Sequence, residues 1–153
     1  MRIVVVEDEA PIREGMAKLL SKINPEYELV GKAADGEAGY QLIRELNPDL
    51  VIMDIRMPKM DGIAMMKKLR EENIKCKAII LSAYSEFQYA QKAIELKADS
   101  YLLKPIKIPE LKSALKQAER EISEDQGTEQ IFSRGKYYVG LYAWSGAPEF
   151  TIK

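Results

Sequence analysis

The sequence has no histidine among its 153 residues. This absence excludes general acid–base catalysis by an imidazole, metal sites that include histidine, and a role as a histidine phosphodonor. The single cysteine, Cys76, cannot form an internal disulfide, which is typical of a protein from a reducing compartment. Cys76 lies between two lysines just before a predicted strand, and we interpret it as a small side chain without a chemical role.

The chain also lacks a strong charge excess and a long apolar run. Its net charge is −1, so the composition gives no sign of a nucleic-acid surface. The first residues, MRIVVVEDE, turn acidic too soon for a signal peptide, and no apolar run approaches the roughly 20 residues of a membrane helix. We therefore expect a cytoplasmic protein that has no membrane segment. We also expect that this chain does not itself bind nucleic acid.

Apolar runs and amphipathic segments alternate through residues 1–124. The predicted strands cover residues 2–6, 28–33, 50–53, 78–81 and 100–103. The predicted helices cover residues 11–23, 36–46, 62–72, 86–97 and 108–123. Asp35 is predicted to cap the second helix, and Ser85 with Gln88 forms a predicted capping box for the fourth. Strict alternation predicts a three-layer α/β domain with a doubly wound, five-stranded parallel sheet and right-handed crossovers.

The other elements are arranged around residues 49–62, DLVIMDIRMPKMDG. Four consecutive apolar residues, 50–53, are typical of a central parallel strand buried on both faces. Asp54 follows with no turn residue between, at the edge of the sheet where α/β proteins bind ligands. A carboxylate there is costly to bury and contributes nothing to packing, so its presence favours a functional role. The simpler alternative is a helix N-cap, but the next helix begins only after Pro58 and Asp61.

Several polar side chains lie at the C-terminal ends of the predicted strands: Glu7, Asp8, Asp54, Ser82 and Lys104. Two carboxylates about 4 Å apart repel by roughly 4 kcal/mol at an effective dielectric constant near 20, so this edge needs a proton or a cation. Oxygen ligands without histidine or cysteine favour Mg²⁺. A carboxylate nucleophile, a dication, a lysine and a hydroxyl are the groups required for phosphoryl transfer onto an aspartate.

Each of these residues also has a simpler interpretation. Ser82 alone is a small polar residue, Lys104 alone is a solvated charge, and Glu7 and Asp8 favour the start of the following helix. Their joint occurrence at successive strand ends favours one shared site.

The motifs VVEDE, IMDIRMPKMDG, LSAYS and YLLKP resemble those of receiver domains of two-component response regulators, and the resemblance covers residues 1–124. It implies a flavodoxin-like fold with strand order 2-1-3-4-5. It also implies that a histidine kinase phosphorylates Asp54. Mg²⁺ would be held by Glu7, Asp8, Asp54 and the backbone carbonyl of Arg56.

The resemblance further assigns Ser82 and Lys104 to the phosphoryl oxygens and Ser82 and Tyr101 to a conformational switch, with a cis Lys104–Pro105 peptide. Phosphorylation would reshape the face formed by helix 4, strand 5 and helix 5, through which the chain would dimerise. The protein would promote its own phosphorylation and dephosphorylation without being a conventional enzyme. Arg56 and Tyr84 would tune the lifetime of the phosphorylated state.

Two longer phrases, VVEDEAPIREGM and LSAYSEFQYAQKAIELKADSYLLKPI, are similar to regulators with AraC-type DNA-binding outputs. This similarity implies control of transcription through an output domain that we do not expect within residues 125–153.

Two rival functions use the same fold. A flavin- or nucleotide-binding domain would need a Ser/Thr- or Gly-rich phosphate loop after the first strand, where this chain has EDEAP. A receiver-like scaffold that is never phosphorylated is disfavoured, because all five site residues are present.

Residues 126–153 differ from the rest of the chain in composition. Only 5 of these 28 residues are charged. The same segment contains half of the chain's 12 aromatic residues. Residues 126–135 are predicted to be a polar linker, and 137–144 and 149–152 short strands. Our hypothesis is that this tail packs on a receiver surface and promotes self-association. The alternative is a truncated or non-native extension.

Overall fold

A computed structural model describes residues 1–83 and 87–133, in which strands and helices alternate along the chain. The elements are β1 (Arg2–Val6), α1 (Ala10–Ile23), β2 (Glu28–Ala33), α2 (Gly36–Leu46), β3 (Leu50–Met53), α3 (Gly62–Glu71), β4 (Lys77–Ser82), α4 (Phe87–Glu95), β5 (Ser100–Leu103) and α5 (Ile108–Ser133).

The strands form one parallel sheet in the order β2-β1-β3-β4-β5. This finding confirms the predicted flavodoxin-like topology. The order of the strands reverses between β1 and β3, because β2 lies on one side of this pair and β4 and β5 lie on the other. Ligands of such sheets bind at this point, beside the C-terminal ends of the two neighbouring strands. Val6 pairs with Met53 in the parallel register, which brings Glu7 and Asp54 side by side just beyond the sheet.

Two apolar clusters pack on opposite faces of the sheet, as the three-layer prediction requires. Val4 and Val6 of β1 belong to one cluster, with buried residues of α2, α3 and α4. Ile3 and Val5 belong to the other, with buried residues of α1 and α5. Because successive side chains of a strand point to opposite faces, a strand buried on both sides must be apolar at every position.

The local signals of the sequence have mostly the predicted effect. The Asp35 side chain caps α2 by accepting a hydrogen bond from the Ala38 amide at 2.8 Å, and Asn47 ends this helix in the left-handed region, with φ 48°. The Lys104–Pro105 peptide bond is cis, as the family resemblance implied. Several boundaries differ by one or two residues, and β4, for example, continues through Ser82, so that this residue ends the strand instead of following it.

The last helix is longer than predicted, since α5 continues to Ser133 across the boundary expected at residue 124. Residues 126–133, predicted as part of a polar linker, therefore belong to this helix. Gly127 disfavours a helix by only about 1 kcal/mol, and extending an existing helix is far easier than starting one. The chain divides into two compact units, Met1–Ala118 and Glu119–Lys153.

Three predictions lie outside the described residues: the cap at Ser85, the role of Tyr84, and the two tail strands at 137–144 and 149–152. Among the described helices, none is both long and apolar enough to cross a membrane.

Candidate functional site

The carboxylate of Asp54 is oriented by the neighbouring backbone at the end of β3. The Asp54 amide donates to the Val6 carbonyl at 3.1 Å, which continues the sheet by one residue. The Ile55 amide donates to Asp54 Oδ1 at 2.6 Å. Asp54 is only 8% exposed, so this carboxylate is oriented and nearly enclosed.

The loop between β3 and α3 folds back tightly over Asp54. The Gly62 amide donates to the Ile55 carbonyl at 2.6 Å. A Cβ atom at Gly62 would lie 2.2 Å from the Asp54 carbonyl oxygen, so only glycine fits at this close approach. Asp61, and not Asp54, caps α3, by accepting from the Ala64 amide at 2.7 Å. The simpler interpretation of Asp54 as a helix cap is therefore wrong.

Lys104, just beyond β5, reaches two carboxylates from separate strands. Its Nζ lies 2.9 Å from Asp54 Oδ2 and 3.0 Å from Glu7 Oε1. Burial acts to lower the pKa of Lys104, but the hydrogen bonds to Asp54 and Glu7 outweigh it and raise this pKa. Lys104 is thus a fixed cation in the site and not the solvated charge of the simpler interpretation.

Glu7 is 4% exposed and is the most buried acid of the site. Burial raises the pKa of the Glu7 carboxyl, although the hydrogen bonds from Lys104 and from the Glu9 amide act in the opposite direction. Without a second cation, two buried carboxylates share the single charge of Lys104. This charge imbalance favours the binding of a cation or a proton.

Asp8 completes the acidic group from the exposed rim of the site. Glu7, Asp8 and Asp54 each offer one carboxylate oxygen, and these oxygens all lie within 4.8 Å of one another. Carboxylates with room for water are the ligand set that suits Mg²⁺. The structure therefore brings together three of the predicted metal ligands, and their chemistry fits that ion.

Ser82 and Tyr101 lie on the neighbouring strands β4 and β5. Ser82 is completely buried at the end of β4, and its backbone carbonyl accepts from the Lys104 amide at 2.8 Å. Tyr101 pairs with Ile80 in the parallel register and is half-buried against the cluster on the α4 side. Both residues thus have positions compatible with their predicted roles.

Arg56 has an exposed side chain that contacts α4. Its Nε donates to the Tyr89 hydroxyl at 3.1 Å, and its guanidinium carbon lies 5.6 Å from the centre of the Tyr89 ring. Sequence reasoning missed Tyr89. No local signal joins residues 33 positions apart, and only the packing of α4 brings them into contact.

Arg13 was also missed, although it lies within the quoted phrase VVEDEAPIREGM. Its Nη1 donates to the backbone carbonyl of Glu7, one of the three acids of the group, at 2.7 Å. The available signal was a cation near the start of a helix, where the helix dipole disfavours positive charge.

The comparison with protein families agrees with this geometry. Residues 3–116 match the family described as response regulator receiver domain. This chain belongs to that family. Phosphorylation on an aspartate in an acidic, Mg²⁺-binding pocket is general for receiver domains of two-component systems.

Two curated relatives show how far the similarity of this receiver domain extends. It is 34% identical over 116 residues to the nitrate/nitrite response regulator protein NarL of Escherichia coli, covering 76% of this chain and 53% of NarL. It is 36% identical over 129 residues to the transcriptional regulatory protein PdtaR of Mycobacterium tuberculosis, covering 82% of this chain and 62% of PdtaR. The chain thus spans little more than half the length of these relatives.

A solved receiver structure has the same fold. The REC domain of AraT, a response regulator from Geobacillus stearothermophilus, superposes with a TM-score of 0.73 at 35% identity, covering 82% of this chain and 97% of that one. These comparisons support a receiver domain related to transcriptional regulators, but they do not single out an AraC-type output.

Proposed function

We propose that Asp54 is the phosphoacceptor of this receiver domain and that Glu7, Asp8, Lys104 and Ser82 complete its site. The observation that carries the proposal is the double contact of Lys104 Nζ, at 2.9 Å from Asp54 and 3.0 Å from Glu7, beside three converging carboxylates. One oxygen of Asp54 is fixed by the Ile55 amide. The other oxygen, Oδ2, accepts a hydrogen bond from the Lys104 ammonium.

The proposed reaction is an in-line displacement at phosphorus. A carboxylate oxygen of Asp54 forms the new O–P bond while the bond from phosphorus to the donor breaks, and the donor leaves with that electron pair. Lys104 compensates the charge on the transferred phosphoryl oxygens. Water later attacks the mixed anhydride, which restores the Asp54 carboxylate and releases phosphate.

Glu7, Asp8, Asp54 and the backbone carbonyl of Arg56 would hold Mg²⁺. The bound ion would supply charge neutralisation for the phosphoryl oxygens. Its acidic ligands otherwise repel an incoming phosphoryl donor, so the chain's own arrangement makes phosphorylation depend on a cation.

Ser82 and Tyr101 connect the site to the surface in this proposal. The Ser82 hydroxyl would move to a phosphoryl oxygen, and Tyr101 would turn inward into the space that becomes available. The change would alter the surface formed by α4, β5 and α5, as a shift between two populations.

The three exposed large apolar residues of the described chain belong to that surface: Ile94 of α4, Leu103 of β5 and Ile108 of α5. Ile94 is 75% exposed. Because α4 and α5 pack on opposite faces of the sheet beside the edge strand β5, these side chains surround one edge of the domain. Exposed apolar groups of this kind favour an interface, and we propose that phosphorylation promotes dimerisation here.

The remaining assignments follow from the family. We propose a sensor histidine kinase as phosphodonor and a cytoplasmic location. We also propose that the protein controls transcription through a separate output domain, which binds DNA while the receiver domain does not. The AraC type of output rests on the quoted phrases alone. The chain would act on its own Asp54 and would not turn over a separate substrate.

A phosphorylation experiment tests this proposal. Incubation with acetyl phosphate and Mg²⁺ should add one phosphoryl group, seen by intact-protein mass spectrometry, and Asp54→Asn should abolish the addition. Asp99→Asn is the matched control, because Asp99 accepts from the Ala78 amide at the opposite edge of the sheet. Phosphorylation that persists in Asp54→Asn would refute the assignment. A wild-type protein that is never phosphorylated would favour the scaffold alternative.

A further inference from the structure

We propose that Arg13 is a positioning residue for the metal-binding carboxylates. Its guanidinium holds the backbone of Glu7 and Asp8 in the conformation that directs their side chains toward Asp54. This inference rests on the proposed function, because it concerns the affinity of that same site for Mg²⁺.

The shortest contact of Arg13 is with the main chain of the acidic loop, and a longer ion pair joins its Nε to Glu14 Oε2 at 3.9 Å. Its Nη1 lies 2.7 Å from the Glu7 carbonyl oxygen and 3.5 Å from that of Asp8, the second contact being at the limit of a hydrogen bond. The Arg13 side chain is 18% exposed, compared with 52% for its neighbour Glu14. A half-buried guanidinium that donates to a carbonyl makes a strong, directional contact.

The helix that follows the acidic loop has Pro11 in its first turn but no side-chain cap. Glu9 is the N-cap residue of α1 but makes no side-chain capping hydrogen bond, and no acidic residue occupies the first turn. The Glu7 amide donates to the Ala33 carbonyl at 3.0 Å, which fixes the chain where it leaves β1. Arg13 then holds the other side of the same residue, from the helix that follows.

The position of Arg13 within α1 is electrostatically unfavourable. Its amide makes the first intrahelical hydrogen bond, to the Glu9 carbonyl at 2.9 Å, so its charge lies near the positive end of the helix dipole. A cation close to Glu7 and Asp8 also competes with a metal ion for their charge. Helix stability and simple charge attraction to the metal therefore do not explain this arginine, whereas the orientation of the loop does.

The two effects of Arg13 on Mg²⁺ binding have opposite signs. Loss of the positive charge should tighten binding, but Asp8 lies at the exposed rim, where water and salt weaken its interaction with that charge. Loss of a residue that orients the ligands typically weakens metal binding by 10- to 100-fold, and we take about tenfold as the expected effect. Orientation should therefore dominate, and Arg13→Ala should bind Mg²⁺ more weakly.

Arg2 provides a matched control. Its Nη1 donates to the carbonyl oxygens of Leu46 and Asn47 at 2.7 and 2.9 Å, so it also joins two successive carbonyls beside a helix end. Arg2 begins β1, at the edge of the sheet opposite the acidic group. Arg2→Ala should lower stability in the same manner without changing the metal site.

The experiment measures Mg²⁺ affinity by calorimetric titration of the full chain as wild type, Arg13→Ala, Arg13→Lys, Arg2→Ala and Asp8→Asn. We expect Arg13→Ala to bind about tenfold more weakly. Arg13→Lys keeps the positive charge but has a single donor nitrogen, so we expect an intermediate affinity. This variant replaces Arg13→Ala in the test if Arg13→Ala fails to fold. With acetyl phosphate, the Mg²⁺ concentration for half-maximal rate should rise in Arg13→Ala, while the rate at saturating Mg²⁺ stays near that of wild type.

Wild-type affinity or tighter binding in Arg13→Ala would overturn the inference, as would an equal loss in Arg2→Ala. In those cases wild type still binds Mg²⁺ and Asp8→Asn still weakens it, so the proposed site survives. If wild type and Asp8→Asn both fail to bind Mg²⁺, the proposed metal site and the role of Arg13 are both wrong.

Discussion

Lys104 Nζ lies 2.9 Å from Asp54 Oδ2, although 50 residues separate the two in the chain. The same nitrogen is 3.0 Å from Glu7. One cation therefore joins the ends of three strands and is already adjacent to the carboxylate that we propose as the phosphoacceptor. Phosphorylation at Asp54 would replace one partner of this lysine and leave the other.

The first prediction concerns Lys104→Met, which removes the cation between two buried acids. We expect the metal-free protein to lose about 2 kcal/mol of unfolding free energy at neutral pH, because charged hydrogen bonds contribute on the order of 1.5–3 kcal/mol. Saturating Mg²⁺ should restore part of the loss. Urea unfolding with and without Mg²⁺ measures both effects, and the exposed Lys107→Met is the control. Equal stability of Lys104→Met and wild type would contradict this role.

Asp8→Asn should separate metal binding from folding. Asp8 is exposed, so loss of its charge relieves repulsion without opening the core, and we expect unchanged or slightly higher stability. Mg²⁺ affinity should fall by about tenfold or more, since a direct ligand is lost. Glu9→Gln is the control, because Glu9 is an exposed neighbouring acid outside the group of three. Titration that gives Asp8→Asn the wild-type affinity would place the metal elsewhere.

Glu7 should make stability and metal binding depend on pH. Burial raises the pKa of its carboxyl in the folded protein, so the folded state binds the proton more tightly than the unfolded state. That contribution is complete below the unfolded pKa of about 4.3 and is lost as pH rises through the higher folded pKa. We therefore expect the stability of wild type minus that of Glu7→Gln to decrease over this range without metal.

Mg²⁺ must displace the same proton, so Mg²⁺ affinity should fall as the pH drops through the raised pKa of Glu7. Urea unfolding and calorimetry across this range measure the two effects. A stability difference that does not change with pH would show that Glu7 keeps an ordinary pKa. The raised pKa of Lys104 keeps its own contribution in place until alkaline pH, outside this range.

Tyr101 should become more buried on phosphorylation. It is half-buried on β5 in this structure, where it pairs with Ile80, two residues before the completely buried Ser82 of β4. Fluorine NMR of protein labelled with fluorotyrosine should show a change in solvent exposure at Tyr101 when acetyl phosphate and Mg²⁺ are added. Tyr27 and Tyr40 are already buried and serve as internal references. The same Tyr101 environment in both states would refute the switch.

Self-association is the last prediction. Phosphorylated protein should sediment as a dimer, and Ile94→Lys should remain monomeric because a charge replaces the most exposed large apolar side chain of the described residues. A second variant that ends at Ser133 tests the tail without interrupting α5. If phosphorylated wild type and both variants all sediment as monomers, neither surface promotes association.

The sequence by itself determined which segments enter the sheet and which acids lie at its edge. Leu50–Met53 could be assigned because a strand covered on both faces must be apolar throughout, and Asp54 was conspicuous because it directly follows such a strand. Caps at Asp35 and Asp61 likewise depend on short-range geometry, although only the structure showed that Asp61 takes the role once open to Asp54. These properties follow from neighbours within a few positions.

Tertiary structure alone decided the contacts between distant segments. The packing of α4 brings Tyr89 to Arg56, and the path of β5 brings Lys104 to both Glu7 and Asp54. Neither the spacing of residues nor their type specifies which carbonyl a long side chain such as Arg13 will reach, because flexible side chains have many rotamers and the surrounding backbone selects one. The orientation of the acids in this receiver domain therefore depends on its folded backbone.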